Sequence, residues 1–262
     1  MNNLSSHAHC FNQGVKDAFQ WQRVFKLVTT SRTVQHTLLK SLALNGIVYL
    51  GLLVFLETFY NSPDHHLYGY SYTDLTGYPL YLICLLVNSR LYHRIAQYHL
   101  RADDVDRQND SFTLVYTIVL YSNFAMLIAL MRMVPFVGTP LSFLFYCIVM
   151  AYYCFEYKWA HQDWNIEQRM MYTEQHWAYC LGFGLPGTAL TFFLSTLRAG
   201  GVFAIVYPFY IMMASSATPL APFVRENSFV FLPYRMRVFA CIRWMNMAIL
   251  YVIRTLLGSR DT

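Results

Sequence analysis

Seven apolar runs alternate with polar stretches along the chain. The first, "SLALNGIVYLGLLVFLETFY" at 41–60, matches the roughly 20 apolar residues that a membrane-crossing helix needs. Runs at 112–131, 141–155, 177–197 and 201–217 repeat the pattern, the last two divided by "RAGG". The run at 78–92 is shorter and fits a tilted or partly re-entrant segment. "RMVPFVGTP" at 132–140 carries two prolines and a glycine and predicts a tight reversal. The pattern predicts an all-α, multi-pass transmembrane helical bundle of about six spans, with re-entrant or interfacial helices among them. Residues 1–40 read as a cytoplasmic basic tail, 41–257 as the membrane helical domain and 258–262 as a short C-terminal tail.

Two segments read as amphipathic. Over 14–34, Val15, Phe19, Val24 and Phe25 are apolar while Lys16, Arg23 and Lys26 are basic, the composition of a helix lying in the membrane interface. In the last run, 234–257, helical spacing gathers Arg235, Arg243, Asn246 and Arg254 within about a third of the circumference. Such a stripe suits an interfacial helix or one packed edge-on. A full crossing would place Arg243 near mid-bilayer, at about 2.5–3.5 kcal/mol, so the interfacial reading is favoured.

Composition strengthens the membrane assignment. The 262 residues are 56% hydrophobic and 13% charged, about half the charge density of an average soluble domain. The formal charge of +5 is modest and belongs to the loops, so it points to no nucleic-acid partner. Its distribution is informative. With a cytoplasmic N-terminus, eleven Lys and Arg fall in the tail and the second and fourth connections, against only Arg132 and Arg198 on the other side. That asymmetry predicts a cytoplasmic N-terminus. The first 26 residues lack an apolar signal core, so insertion is expected to use the first span. The six cysteines show no C-x-x-C spacing and read as reduced, buried small hydrophobes.

"CLGFGLPG" at 180–187 contains G-x-G-x-x-G, the spacing of a dinucleotide-binding turn. That turn requires an acidic residue about 20 positions later. The first acid after Gly187 is Glu226, and Pro186 interrupts the motif, so nucleotide binding is excluded. A helix explains the residues better. Pro186 withholds a hydrogen bond from the Gly182 carbonyl, and the glycines admit a neighbouring helix closely. A kinked or discontinuous span packed inside the bundle is expected.

Ionisable residues within spans usually mark a pathway. Here Glu57, Arg132 and Glu156 lie near span ends, and the mid-span polar groups are Asn45, Ser122, Asn123 and Ser142. No buried acid suggests a proton relay. Asp64, His65 and His66, and the "HAHC" at 7–10, are weak metal candidates better read as ordinary polar positions. No nucleophile motif accompanies the loop Ser, His and Asp residues. We therefore expect no catalytic residues, no cofactor, no metal site and no enzymatic activity. In the loop at 156–176, Tyr157, Trp159, Trp164, Tyr172 and Trp177 at its edge fit interface anchors or a docking surface for protein partners.

"YCFEYKW" at 153–159, "GFGLP" at 182–186 and "YPFYIMMASSATP" at 207–219 resemble the etoposide-induced protein 2.4 family, related to the bacterial sulfate permease CysZ. "GVKD" at 14–17 and "NG" at 45–46 also look like that family's N-terminal pattern. The resemblance is dense over 150–220. It implies a multi-pass endoplasmic reticulum protein tied to autophagy, growth suppression and apoptosis, with an anion channel or permease as the alternative. It carries over no catalytic residues. Tyr153, Phe155, Glu156, Tyr157, Trp159, Gly182, Gly184, Pro186 and Pro219 are expected to be structurally essential. Besides protein partners at 156–176, the implied partner is the lipid bilayer.

Overall fold

The computed structural model describes residues 3–59, 66–67, 70–100, 111–222 and 232–258. Asp64, His65, Glu226, the charged stretch 101–110 and residues 259–262 lie outside the described residues, and so does the side chain of Arg254. The elements are α1 (Asn3–Ala18), α2 (Trp21–Thr30), α3 (Arg32–Leu42), a π-helical segment (Ala43–Leu50) and α4 (Gly51–Phe59). A two-residue antiparallel ladder, His66–Leu67 with Tyr70–Ser71, precedes α5 (Tyr72–Leu100). There follow α6 (Ser111–Arg132), α7 (Gly138–His161), α8 (Ile166–Gln175), α9 (Trp177–Thr191), α10 (Thr196–Ser216) and α11 (Ala240–Gly258).

The chain folds as an all-α helical membrane bundle. Among the described residues three helices are long and apolar enough to cross a membrane: the continuous Arg32–Phe59 helix, α7 and α10. Outward positions on the first of these helices, on α5 and on α11 are apolar. Ile47, Val54, Leu82, Leu86 and Trp244 are exposed, as expected of helices solvated by lipid rather than water. The core lies between α7, α9 and α10, where Phe155, Tyr179, Phe183 and Ile211 are fully buried.

Several boundaries differ from the apolar pattern. The run at 78–92 is part of the 29-residue α5, which continues past Arg90 and Arg94 because both are good helix formers. "RAGG" does not divide two spans. It lies inside α10, and the break falls at 192–195, where Ser195 is extended. Arg198 stays helical because Glu57 on α4 pairs with it, and Gly201 receives Tyr49 and Leu50 against its bare backbone. The reversal at 133–137 occurs as expected, with Phe136 at φ 63. The 156–176 stretch is mostly helical. It holds the end of α7 and all of α8, which Asn165 and Gln168 start with reciprocal capping bonds of 2.8 and 2.9 Å.

The boundary drawn at residue 40 is not a structural break, since α3 runs directly into the π-helical segment. The amphipathic segment at 14–34 also runs through three helices rather than one, parted at Phe19–Gln20 and at Ser31. The α1 helix docks on α9. Its Ser6, Cys10, Gly14 and Ala18 recur every fourth residue and are all buried, a small-residue face that lets backbones approach. Asp17 is buried beside it and accepts hydrogen bonds from the Tyr179 hydroxyl at 2.6 Å and from Gln13 at 3.0 Å.

Candidate functional site

The glycines of 180–187 settle into packing roles. A Cβ on Gly182 would collide with the carbonyl of Phe11 in α1, and one on Gly184 with the carbonyl of Cys147 in α7. The α9 helix is thus clamped between two backbones. It runs unbroken through Pro186, so no discontinuous span forms there. Pro186 is half-buried and stands away from the bundle's large cavity.

That cavity, of about 660 Å³, lies between the π-helical segment, α5, α6, α7 and α10. Helical periodicity explains how one motif serves two faces of α7. Tyr153, Glu156 and Tyr157, at i, i+3 and i+4, line the cavity. Phe155 and Trp159, at i and i+4 on another face, enter the solid core, with ring centroids of Phe155 and Phe183 5.0 Å apart. Pro219 follows α10 in an extended, half-buried segment. The end of α10 is held by Lys158, which donates to the Ala217 carbonyl, and by Arg23, which donates to that of Ser216 at 3.3 Å.

The cavity wall is rich in tyrosine. Tyr49 donates to the Leu197 carbonyl at 3.0 Å, Tyr92 to that of Ala204 at 2.7 Å and Tyr207 to that of Tyr153 at 2.9 Å. The Tyr121 hydroxyl donates to Glu156, which also lies 3.7 Å from Arg169. Asn45 and Asn88 exchange amide hydrogen bonds of 3.0 and 2.7 Å, and Asn45 also donates to the Ser41 carbonyl at 2.8 Å. At the opposite end from Glu156, exposed Arg132 donates to the Phe192 carbonyl at 2.8 Å and stacks 4.1 Å over its ring. The interior therefore offers uncharged hydroxyls and amides, with one acid and one cation at its ends.

Sequence reasoning finds Asn45, Asn123, Arg132 and Glu156 but not their partners. Asn88 and Tyr92 lie within the second apolar run, where nothing in their spacing marks an inward face. Asn123 on α6 meets Asn246 on α11. Glu174, an inconspicuous acid in the 156–176 stretch, is fully buried. It accepts from Arg235 at 2.7 Å, from Arg243 at 2.9 Å and from the Phe239 backbone N–H at 3.1 Å. Arg235 and Arg243 of the 234–257 stripe accordingly pack edge-on against α8, paired with its buried acid. No spacing in the sequence signals this pairing, because Glu174 lies more than 60 residues from either arginine.

Beside that cluster, burial pushes the His176 and His7 imidazoles below their ordinary pKa of 6.5 and raises the Tyr172 phenol. His176 stacks 3.9 Å from Tyr172 and bonds its carbonyl at 2.8 Å, while His7 lies 5.0 Å from Trp177. Among the described residues no group of three or more His, Cys, Asp or Glu is placed to hold a metal ion. All six cysteines are unpaired, and five of them are buried.

The family model described as sulfate transporter CysZ/etoposide-induced protein 2.4 matches residues 20–208. The chain is similar to the protein EI24 homolog of Arabidopsis thaliana, 25% identical over 263 residues, covering 79% of this chain and 82% of that protein. It is similar to the protein EI24 homolog of Dictyostelium discoideum, 27% identical over 227 residues, covering 79% and 73%. A shorter likeness, 28% over 85 residues and 32% of this chain, is to ectopic P granules protein 4 of Caenorhabditis elegans, of which it covers 27%. No solved structure matches the chain.

Proposed function

The chain belongs to the sulfate transporter CysZ/etoposide-induced protein 2.4 family, and from that membership we propose a non-enzymatic multi-pass protein of the endoplasmic reticulum membrane that supports autophagy and the regulation of growth and apoptosis. The observation that carries this reading is the family match over residues 20–208, joined by two EI24 homologues aligned over 79% of the chain. The N-terminus is cytoplasmic in this reading, supported by the excess of Lys and Arg in the tail and in the second and fourth connections. The α7–α8 corner, with exposed Glu167, Gln168 and Met171, then faces the cytoplasm as the docking surface for protein partners. Autophagic flux in cells lacking the protein tests the proposal. Lost flux that the intact chain restores supports it, and normal flux rejects it.

A second reading, a small-anion channel or permease, is favoured by one observation. The cavity extends between helices to Arg132, a cation at its mouth. Sulfate uptake into proteoliposomes holding the purified chain tests it, and no uptake above empty vesicles rejects it.

A further inference from the structure

The cavity's polar groups differ from those of an anion site. A bound anion needs hydrogen-bond donors or cations, because desolvating its charge without them costs several kcal/mol. Here several of the donors are spent. The Tyr49, Tyr92 and Tyr207 hydroxyls all donate to backbone carbonyls, and Ser89 donates to the Leu86 carbonyl at 2.8 Å. The Asn45 and Asn88 amides donate to each other. A phenol that has given its proton away keeps its lone pairs. Among the described lining residues the only cation, Arg132, is exposed at the mouth rather than inside.

Shape adds a second constraint. The lining runs from Tyr146 to Tyr157 on α7 and from Thr196 to Tyr207 on α10. At 1.5 Å per residue each stretch is about 16 Å long. The ring centroids of Tyr92 and Tyr207 lie 5.1 Å apart near one end. The Tyr92 oxygen already accepts from Ser41 and Asn45, whereas the Tyr207 hydroxyl donates to the Tyr153 carbonyl and keeps its lone pairs. Toward the other end the wall turns to Ile128, Val149 and the faces of Tyr81 and Tyr146.

We propose that this cavity binds an uncharged lipid alcohol, with its hydroxyl donating to the Tyr207 oxygen and its apolar body lying along the chamber toward Tyr81 and Tyr146. Sterols and monoacylglycerols share this chemistry. The inference goes beyond the autophagy reading and competes with the anion reading for the same space.

The test uses the full chain purified in nanodiscs, with diazirine-bearing cholesterol and diazirine-bearing monoolein as photoprobes. Labelling is expected on peptides of α5, α7 and α10, displaced by the unlabelled alcohol of the same class. Which probe labels identifies the source. The ether of each lipid with every hydroxyl methylated, which cannot donate, should displace about ten-fold less well, the loss expected for one hydrogen bond. Tyr207→Phe should erase that difference between alcohol and ether. Ala199→Phe should fill the chamber and abolish labelling while the thermal midpoint holds. If either variant fails to fold, the alcohol–ether comparison on the unaltered chain still decides. Equal displacement by ether and alcohol, labelling outside these helices, or displacement by millimolar sulfate overturns the inference. Labelling that passes these controls alongside normal autophagic flux would reject only the autophagy reading. Absent labelling with lost flux would reject only the lipid site.

Discussion

The two sides of α7 are built on opposite principles. On one side α7 meets α9 through Gly184 laid against the Cys147 backbone, and α9 meets α1 through Gly182 and Gly14. On the other side, α7 faces α5, α6 and α10 through tyrosines that hold the helices apart around 660 Å³ of space. Removing side chains lets backbones touch, whereas large rings whose hydroxyls bond to neighbouring carbonyls act as struts. Both walls are apolar by composition. The size of the residue at each inward position decides whether a membrane bundle closes or stays hollow.

Charge follows the same division. Glu174 is buried and saturated by two arginines and a backbone N–H. Glu156 and Arg132 sit at the ends of the hollow side, where the medium is more polar.

The strongest way to break the comparison is to force open the solid side. Gly184→Leu drives a side chain into the Cys147 backbone, which cannot rotate away. Its cost should exceed the roughly 1–3 kcal/mol of ordinary overpacking. The protein should fail to run as a monodisperse species in size-exclusion chromatography, while Ala199→Phe on the hollow side should run normally. Next, Glu174→Ala leaves Arg235 without its acid and Arg243 with only Glu167 at 3.5 Å, and should cost about 3–5 kcal/mol. Chemical denaturation in detergent would measure this. Replacing all three residues by Met should recover much of the loss, because no charge is then stranded.

A smaller effect tests the struts. Asn88→Leu keeps the volume but leaves the Asn45 amide without its exchange partner. It should cost about 1–3 kcal/mol, read as a lower thermal midpoint with the rest of the bundle intact. The smallest effect concerns pH. Folded, His7 and His176 resist protonation because they are buried. Below the ordinary value of 6.5 the unfolded chain binds more protons than the folded one, so stability falls as pH falls. Between about pH 7.5 and about 5.5 the thermal midpoint should drop, and the double variant His7→Gln/His176→Gln should show a shallower drop. An unchanged slope would mean that other groups carry the acid sensitivity.

Periodicity made much of α7 legible. Tyr153, Glu156 and Tyr157 fall on one face and Phe155 and Trp159 on another, as spacing alone requires. The glycines of 180–187 were legible as packing residues, but their neighbours were not. Nothing in "GFG" says that one glycine meets Phe11 and the other Cys147. The small-residue face of α1 was hidden because Ser6, Cys10, Gly14 and Ala18 do not stand out by hydropathy. "RAGG" misled for the opposite reason. Arginine and two glycines read as a break in isolation, yet an ion pair to Glu57 and tight packing at Gly201 keep them helical.

By itself the sequence determined that this chain is helical and membrane-bound, because apolar runs of bilayer length and scarce charge admit few other solutions. It also determined which residues share a helix face, since that follows from 3.6 residues per turn. Only the tertiary structure decided which face meets which. The docking of α1, the convergence of Arg235 and Arg243 on Glu174 and the hollow between α5, α6, α7 and α10 all join residues far apart in the chain. Such contacts depend on how whole helices pack, and no local pattern encodes them.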